Sequence, residues 1–439
     1  MALQVLHCAD IHLGRRRLNG RLPDSDFAAA FEQIVSRARS WRADVVLIAG
    51  DLFDAPQIPP PVLRQATAVL QPLKKARIPV LAIEGNHDRA VLGQARPTWV
   101  RYLAEDGLLT LLTTPFTPEG PQLTRYDPQT LEGSYVEVGG VRFVGAGYLG
   151  AGTDRRAAAL AEALPDDAVP TVMLLHAGPE YFVGEGGGFQ KSTLEKLQAR
   201  LVYLALGHIH KPMIHRDPEG RPWAVNPGSP ENCRLDEAAV PGPRGWAEVL
   251  IDPEALPGLV LADARICDCP RRPVLARELD ITPYGNKYKA GAEAIAQAAL
   301  KLLAEDPPPP NSVVRLVLKG QLNIGRIAVE PLALGEQLAS AAGLAGVEVS
   351  LEGVQLFTGR PGQAPSLAGL STAQIEKLAL EEILRAKPPD GLEEQLPQAA
   401  EFCARLKSLV ARGAGADAVL DALETSVLPA AMVEARGKL

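Results

Sequence analysis

The chain has 439 residues, 46% hydrophobic and 22% charged, a balance that excludes a low-complexity or disordered polymer and, at roughly 150 residues per domain, implies two or three domains. A net charge of -7 excludes a protein that coats nucleic acid through its overall charge, so any such contact has to be local. No apolar run approaches the roughly 18 residues of a membrane span. The chain opens on Leu3-Gln-Val-Leu-His-Cys8 without a basic leader, and its cysteines number five, an odd count. A cytoplasmic protein with no membrane contact is the expectation.

Along the chain, short apolar runs alternate with helical periodicity. Leu3–His7 runs into a polar loop carrying Asp10 and His12. Phe27, Phe31, Ile34, Val35 and Ala38 then recur at helical spacing, and Val45–Ala49 ends at Gly50-Asp51. Pro60–Lys75 reads as a helix opened by proline, and Val80–Ile83 ends at Gly85-Asn86-His87-Asp88. The runs Val141–Ala146, Thr171–Leu175 and Leu201–Leu206 follow, the last two leading to His176 and to His208 and His210. Runs apolar on both faces predict strands covered by helices, in an α/β layered domain over residues 1–255. A second region, residues 262–358, carries strand-like runs Val274–Leu279, Val313–Leu318 and Val347–Val354, with helices over Lys287–Leu303 and Leu332–Ala342, and reads as a small α+β domain without a visible site. Residues 366–439 read as a helical segment broken at Pro388-Pro389.

The polar residues fall at the ends of the apolar runs, where open α/β sheets place their ligand sites. Five of the seven histidines, His12, His87, His176, His208 and His210, lie there beside Asp10, Asp51, Asn86 and Asp88. A lone histidine is most often structural; five of them in such loops beside carboxylates point to a metal site. Imidazole and carboxylate without thiolate suit manganese, iron or zinc. So many candidate ligands, seven even without His87 and Asp88, exceed the needs of one ion. Two ions with Asp51 as the bridge fit better, and two metals about 3.5–4 Å apart suit hydrolysis of a phosphate ester.

Asp10-Ile-His12, Gly50-Asp51, Gly85-Asn86-His87-Asp88, His176 and Gly207-His208-Ile209-His210 resemble, in order, the five motifs of the calcineurin-like metallophosphoesterases. Asp10-Ile-His12-Leu-Gly14, Gly50-Asp51-Leu-Phe-Asp54, Leu204-Ala-Leu-Gly-His-Ile-His210 and Asn226-Pro-Gly-Ser229 narrow the resemblance to the SbcD-type DNA double-strand-break repair nucleases. The resemblance implies two sheets flanked by helices over 1–255, a DNA-capping domain over 262–358, and a partner-binding segment over 366–439. It implies a two-metal exonuclease and endonuclease, a homodimer acting with an SbcC-type coiled-coil ATPase, and manganese as the ion. One ion would be held by Asp10, His12, Asp51 and His210, the second by Asp51, Asn86, His176 and His208. His87 would serve the leaving oxygen as a general acid, with Asp88 orienting its ring. The alternatives are a metallophosphoesterase of nucleotides or other small phosphodiesters, and a binding module with a relic site. The complete ligand set argues against the relic, and the extra residues after the first domain favour DNA.

Many members of the family carry histidine where this chain has Asp54, so residue 54 is left out of the expected site. Arg15-Arg16-Arg17 and Lys211 read equally as phosphate clamps or as solvated loops. Gly184–Gly188 reads as a surface loop rather than a lid, and Cys267-Asp-Cys269, His7 and His215 as structural. Cys8 lies near the site with no base arranged to activate it. Val62, Leu63, Leu70, Trp99 and Leu103, in the stretches Pro60–Lys75 and Arg96–Glu105, are the candidate dimer surface unless they face the core. In the last segment, Ile375, Leu378, Ala379 and Ile383, then Phe402, Leu406, Leu409 and Val410, form two apolar stripes that a partner or the chain itself must cover.

Overall fold

The computed structural model describes residues 2–357, apart from residues 21, 23–24, 90–96, 184–187, 256–259, 286–290 and 324–328, and then residues 380–381, 384 and 396–411. In chain order the elements are β1 (Leu3–Cys8), α1 (Ser25–Ser40), β2 (Val45–Ala49), α2 (Pro60–Ala76), β3 (Val80–Ile83), α3 (Trp99–Glu105), β4 (Thr110–Leu111), and a ribbon of β5 (Phe116–Thr117) and β6 (Gly120–Pro121). There follow β7 (Tyr135–Val138), β8 (Val141–Gly147), α4 (Thr153–Ala163), β9 (Thr171–Leu175), α5 (Glu180–Val183), α6 (Lys191–Gln198), β10 (Tyr203–Leu206), β11 (Met213–Arg216), β12 (Pro222–Asn226), β13 (Gly245–Ile251) and β14 (Leu261–Asp268).

Two six-stranded sheets are built from these, ordered β14-β13-β1-β2-β3-β4 and β11-β12-β10-β9-β8-β7. Their centres are parallel: β1 pairs β2 with Val5 opposite Val45, β2 pairs β3 with Val46 opposite Val80, and β9 pairs β10 with Val172 opposite Tyr203. Side chains alternate across each strand, and the cores divide accordingly. Val45, Leu47 and Ala49 join Leu81, Ile83, Phe143, Val172, Leu174 and Tyr203 between the sheets. Val46 and Ile48 face the other way, onto Phe27, Phe31 and Ile34 of α1 and Val69 and Leu73 of α2. On the far side, Met173, Leu175 and Leu204 pack under Ala157 and Leu160 of α4 and Leu197 of α6. The result is two sheets face to face with helices outside both, as the α/β sandwich predicted.

Two details depart from expectation. β14 pairs antiparallel with β13, with Ala264 opposite Val249, so the first unit runs past residue 255 to Leu275 and takes in Pro309–Arg315 as well. Val62, Leu70 and Leu103 are fully buried, and Leu63 and Trp99 pack against the same core, so these side chains stabilise the fold rather than offering a dimer surface.

The second unit comprises Ala276–Pro308 and the chain from Leu316 onward. A three-stranded sheet is ordered β15 (Val274–Asp280), β16 (Val313–Asn323) and β17 (Gly346–Phe357), accompanied by α7 (Gly291–Glu305) and α8 (Pro331–Ala342). The stripe from Ile375 to Ile383 lies outside the described residues. α9 (Leu396–Ala411) is helical, with Ala399 and Ala400 buried and Phe402 half-buried.

Candidate metal centre

The carboxyl ends of β1, β2, β3, β9 and β10 meet at one edge of the sandwich. The loops leaving them bring Asp10, His12, Asp51, Asn86, His176, His208 and His210 together. Tight backbone geometry makes this possible. Asp10, His12, Asp51 and His208 have φ of 53°, 50°, 51° and 80°, a left-handed conformation that costs a non-glycine residue about 1–2 kcal/mol. Such strain gathers where function fixes the backbone. Gly85 is required for a different reason: a Cβ there would run into the Asp51 carboxylate.

Asp51 is central. One oxygen accepts the His87 backbone N–H at 2.9 Å; the other lies 3.2 Å from His176 Nε2 and 3.7 Å from His12 Nε2. His176 directs Nδ1 to the Ala49 carbonyl at 2.8 Å, so its Nε2 faces the site, where Asn86 Oδ1 lies 3.1 Å away. The same Asn86 oxygen is 2.9 Å from His208 Nδ1. On the other side His12 Nε2 and His210 Nε2 face each other at 3.1 Å. His210 directs Nδ1 to Glu237 at 2.7 Å, and His12 Nδ1 sits 3.2 Å from Asp54 without hydrogen-bond alignment. Asp10, His12 and Asp51 offer donor atoms within 4.8 Å of one another, and Asp10 also receives the His208 backbone N–H.

Ring nitrogens turned toward one another, among carboxylate and amide oxygens, attract positive charge. Burial opposes ionisation throughout, yet Asp51 is held below the usual carboxylate range by His176 and His12. Against its own burial His176 is raised to about 9, chiefly by Asp51, and His210 to about 10 by Cys233 and Glu237. Burial and the neighbouring His176 push His208 down to about 4. The donor set fits divalent cations, which would supply the charge that protons otherwise bring.

His87 lies beside the cluster, its ring edge-on to His12 at 4.9 Å. Its Nδ1 is 2.7 Å from the Asp54 backbone carbonyl. Asp88 does not orient it. The Asp88 carboxylate, buried, accepts backbone N–H groups from Leu52, Phe53 and Gly85 and ties the β2 and β3 loops together. Burial and the charge of Asp51 push its carboxyl upward.

An open cleft of about 890 Å³ leads to the cluster, lined by His12, His87, His208 and His210 and by the cations Arg15, Lys211 and Arg234. The arginine run divides here. Arg15 reaches the cleft and pairs with Asp54 at 3.0 Å. Arg17 is buried against Asp26 and Glu231 and holds the loop in place. Cys8 donates to the Leu47 carbonyl in the core, and Cys267 and Cys269 pack in the same core. His7 is buried between Tyr203 and the Leu206 carbonyl, and His215 stacks edge-on with Tyr181. Residues 184–187 lie outside the described residues.

Two site residues have no counterpart in the sequence analysis, Cys233 and Glu237, and Asp54, left out of the expected site, stands 3.2 Å from His12 Nδ1. Cys233 forms a potential ligand group with His12 and His210. Both Cys233 and Glu237 follow the Asn226-Pro-Gly-Ser229 turn, which was the available signal. Asn226 there donates to the Lys211 carbonyl at 2.7 Å and so fixes the loop of His208 and His210.

Residues 3–212 match the family model of the calcineurin-like phosphoesterases. Among curated proteins, one from Aeropyrum pernix called DNA double-strand break repair protein Mre11 is 26% identical over 387 residues, covering 86% of this chain and 87% of that one. Proteins of the same name from Archaeoglobus fulgidus and Sulfurisphaera tokodaii are 30% and 27% identical over 241 and 254 residues. The match spans 52% and 59% of those two relatives' lengths, and 54% and 57% of this chain.

Proposed function

We propose that the calcineurin-like phosphoesterase domain of residues 3–212 makes this chain a two-metal DNA nuclease, which hydrolyses phosphodiester bonds in double-strand-break repair. Its partner on this reading is an SbcC-type coiled-coil ATPase, its working form a homodimer and its compartment the cytoplasm. The observation that carries the proposal is the pair of facing imidazoles, His12 and His210 with Nε2 atoms 3.1 Å apart, beside a second nitrogen and oxygen cluster that shares Asp51.

One ion would be held by Asp10, His12, Asp51 and His210, the other by Asp51, Asn86, His176 and His208, with manganese as the resident metal. When bound, the ions supply polarisation of a phosphoryl oxygen and a water acidic enough to attack near neutral pH. The chain's own residues supply the rest. With Nδ1–H directed to the Asp54 carbonyl, His87 in its imidazolium form keeps Nε2–H for the leaving oxygen, to which it hands that proton, ending as the neutral Nδ1–H tautomer. Arg15 and Lys211 on the cleft wall hold the phosphate backbone, a contact that positions DNA without reading its sequence. DNA is favoured over a small phosphodiester because the likeness to the Aeropyrum protein extends over 387 residues, well beyond the phosphoesterase domain.

The test is to strip the protein of metal, restore Mn²⁺, and follow cutting of duplex DNA together with bound-ion stoichiometry in the parent and in Asp51→Asn. Chelation should silence cutting and Mn²⁺ restore it, while Asp51→Asn loses both ions and most activity. An Asp51→Asn protein fully active in metal-free buffer would refute the assignment. Hydrolysis of small phosphodiesters with DNA left intact would reassign the substrate.

A further inference from the structure

Cys233 is buried, 3% exposed, and its Sγ forms a group with one ring nitrogen each of His12 and His210 in which all donor atoms lie within 4.8 Å of one another. A thiolate and two imidazoles on one ion, with bonds of about 2.3 Å to sulfur and about 2.0–2.1 Å to nitrogen, stand within that span of one another. Among the described residues, the other cysteines join no such group.

A neighbouring side chain holds the Cys233 backbone in place. Glu237 accepts the Cys233 backbone N–H at 2.9 Å with one carboxylate oxygen and meets His210 Nδ1 at 2.7 Å with the other. Arg244, buried, stands 3.6 Å from that carboxylate. A single side chain therefore fixes both the cysteine and the histidine it faces. Such outer carboxylates orient ligating groups in metal sites.

From this cluster we infer that Cys233 is a thiolate ligand of the ion held by His12 and His210, so that the two metal positions are chemically unlike. The inference rests on the two-metal reading above and replaces manganese at the first position only. The position with Cys233 is soft and selects zinc, cobalt or ferrous iron; the position with Asp51, Asn86, His176 and His208 has only nitrogen and oxygen donors and suits manganese. Occupied together, they make a mixed-metal centre.

The experiment loads the metal-free full chain with Co²⁺ and records its absorption spectrum and cobalt stoichiometry, with X-ray absorption at the cobalt edge on the same sample. The expected result is a near-ultraviolet sulfur-to-cobalt charge-transfer band and a sulfur neighbour at the metal. In Cys233→Ser the band is lost while the visible cobalt bands remain. The X-ray measurement needs no variant, so a misfolded Cys233→Ser protein does not spare the inference. Cobalt bound without a sulfur neighbour overturns the thiolate but leaves the two-metal reading standing, as does a band that survives in Cys233→Ser. A chain that binds no cobalt overturns both.

Discussion

At the scale of single residues, the site is organised by what each histidine does with its second nitrogen. His210 Nδ1 meets Glu237 at 2.7 Å, which fixes the ring so that Nε2 faces His12. Glu237→Gln keeps the shape and removes the charge. Loss of such a partner costs metal affinity about 10–100-fold, measurable by competition with a chelating dye; unchanged affinity would show that His210 needs no such anchor. His87 stands apart from the ligand set, with its Nδ1 on a backbone carbonyl 2.7 Å away. His87→Ala should therefore bind two ions and cut DNA about 10²–10⁴-fold more slowly, the span of a general acid. Metal analysis of the variant decides, since an ion lost with the ring would make His87 a ligand. Asp88 belongs to the fold. Its carboxylate collects three backbone N–H groups, so Asp88→Asn should lower the denaturation midpoint of the metal-free protein, and an unchanged midpoint would return Asp88 to the chemistry.

At the scale of elements, one carboxylate on β13 adds side-chain ties to α1 and β14 beyond the backbone ladders to β1 and β14. Glu248 receives Arg37 of α1 at 2.6 Å and Arg265 of β14 at 2.7 Å. Burial opposes its charge, but these two arginines and the Trp246 indole bring the carboxyl from 4.5 down to about 2. The folded value is the lower one, so the stabilisation is fully present above pH 4.5 and is lost as the pH falls through about 2. Denaturant unfolding of the parent should weaken across that window, and Glu248→Gln should show less of the decline; identical pH profiles would count against the bridge. The same strands show what the sequence disclosed. Val45–Ala49 read as covered on both faces, and its residues divide between two cores. β14 was harder to place, because Asp263 and Arg265 interrupt its apolar pattern and its partner β13 carries Glu248. The loop ligands announced themselves by residue type and by position after apolar runs. Glu237 did not, since it meets His210 from 27 residues further along and only the Asn226-Pro-Gly-Ser229 turn before it marked the stretch. A lone carboxylate or thiol acquires its meaning only from the tertiary contact.

At the scale of the whole molecule, the first unit is not a continuous stretch of chain. Pro309–Arg315 belongs with Met1–Leu275. The Val313 backbone N–H donates to the Pro273 carbonyl at 2.9 Å, and Arg272 binds the Asn311 carbonyl at 2.9 Å while its other nitrogens grip Asp26. Ser312, Val313 and Val314 are completely buried. A chain ended after residue 275 loses that returning segment and the burial of two valines that fold to zero accessibility, each full side chain contributing about 1.5–3 kcal/mol, and it bares the surface they covered. A chain ended after residue 365 keeps every one of these contacts. The 1–365 protein should therefore melt with the parent's first unit and bind the same number of ions, whereas the 1–275 protein should melt lower or aggregate. Calorimetry and metal analysis of the two truncations make the comparison, and a 1–275 protein as stable as 1–365 would show that the returning segment adds nothing. The 1–365 protein also isolates the role of residues 366–439: if they bind the ATPase, it should cut simple substrates as the parent does but fail to co-purify with that partner. Co-purification of the shortened chain would place the partner's grip elsewhere.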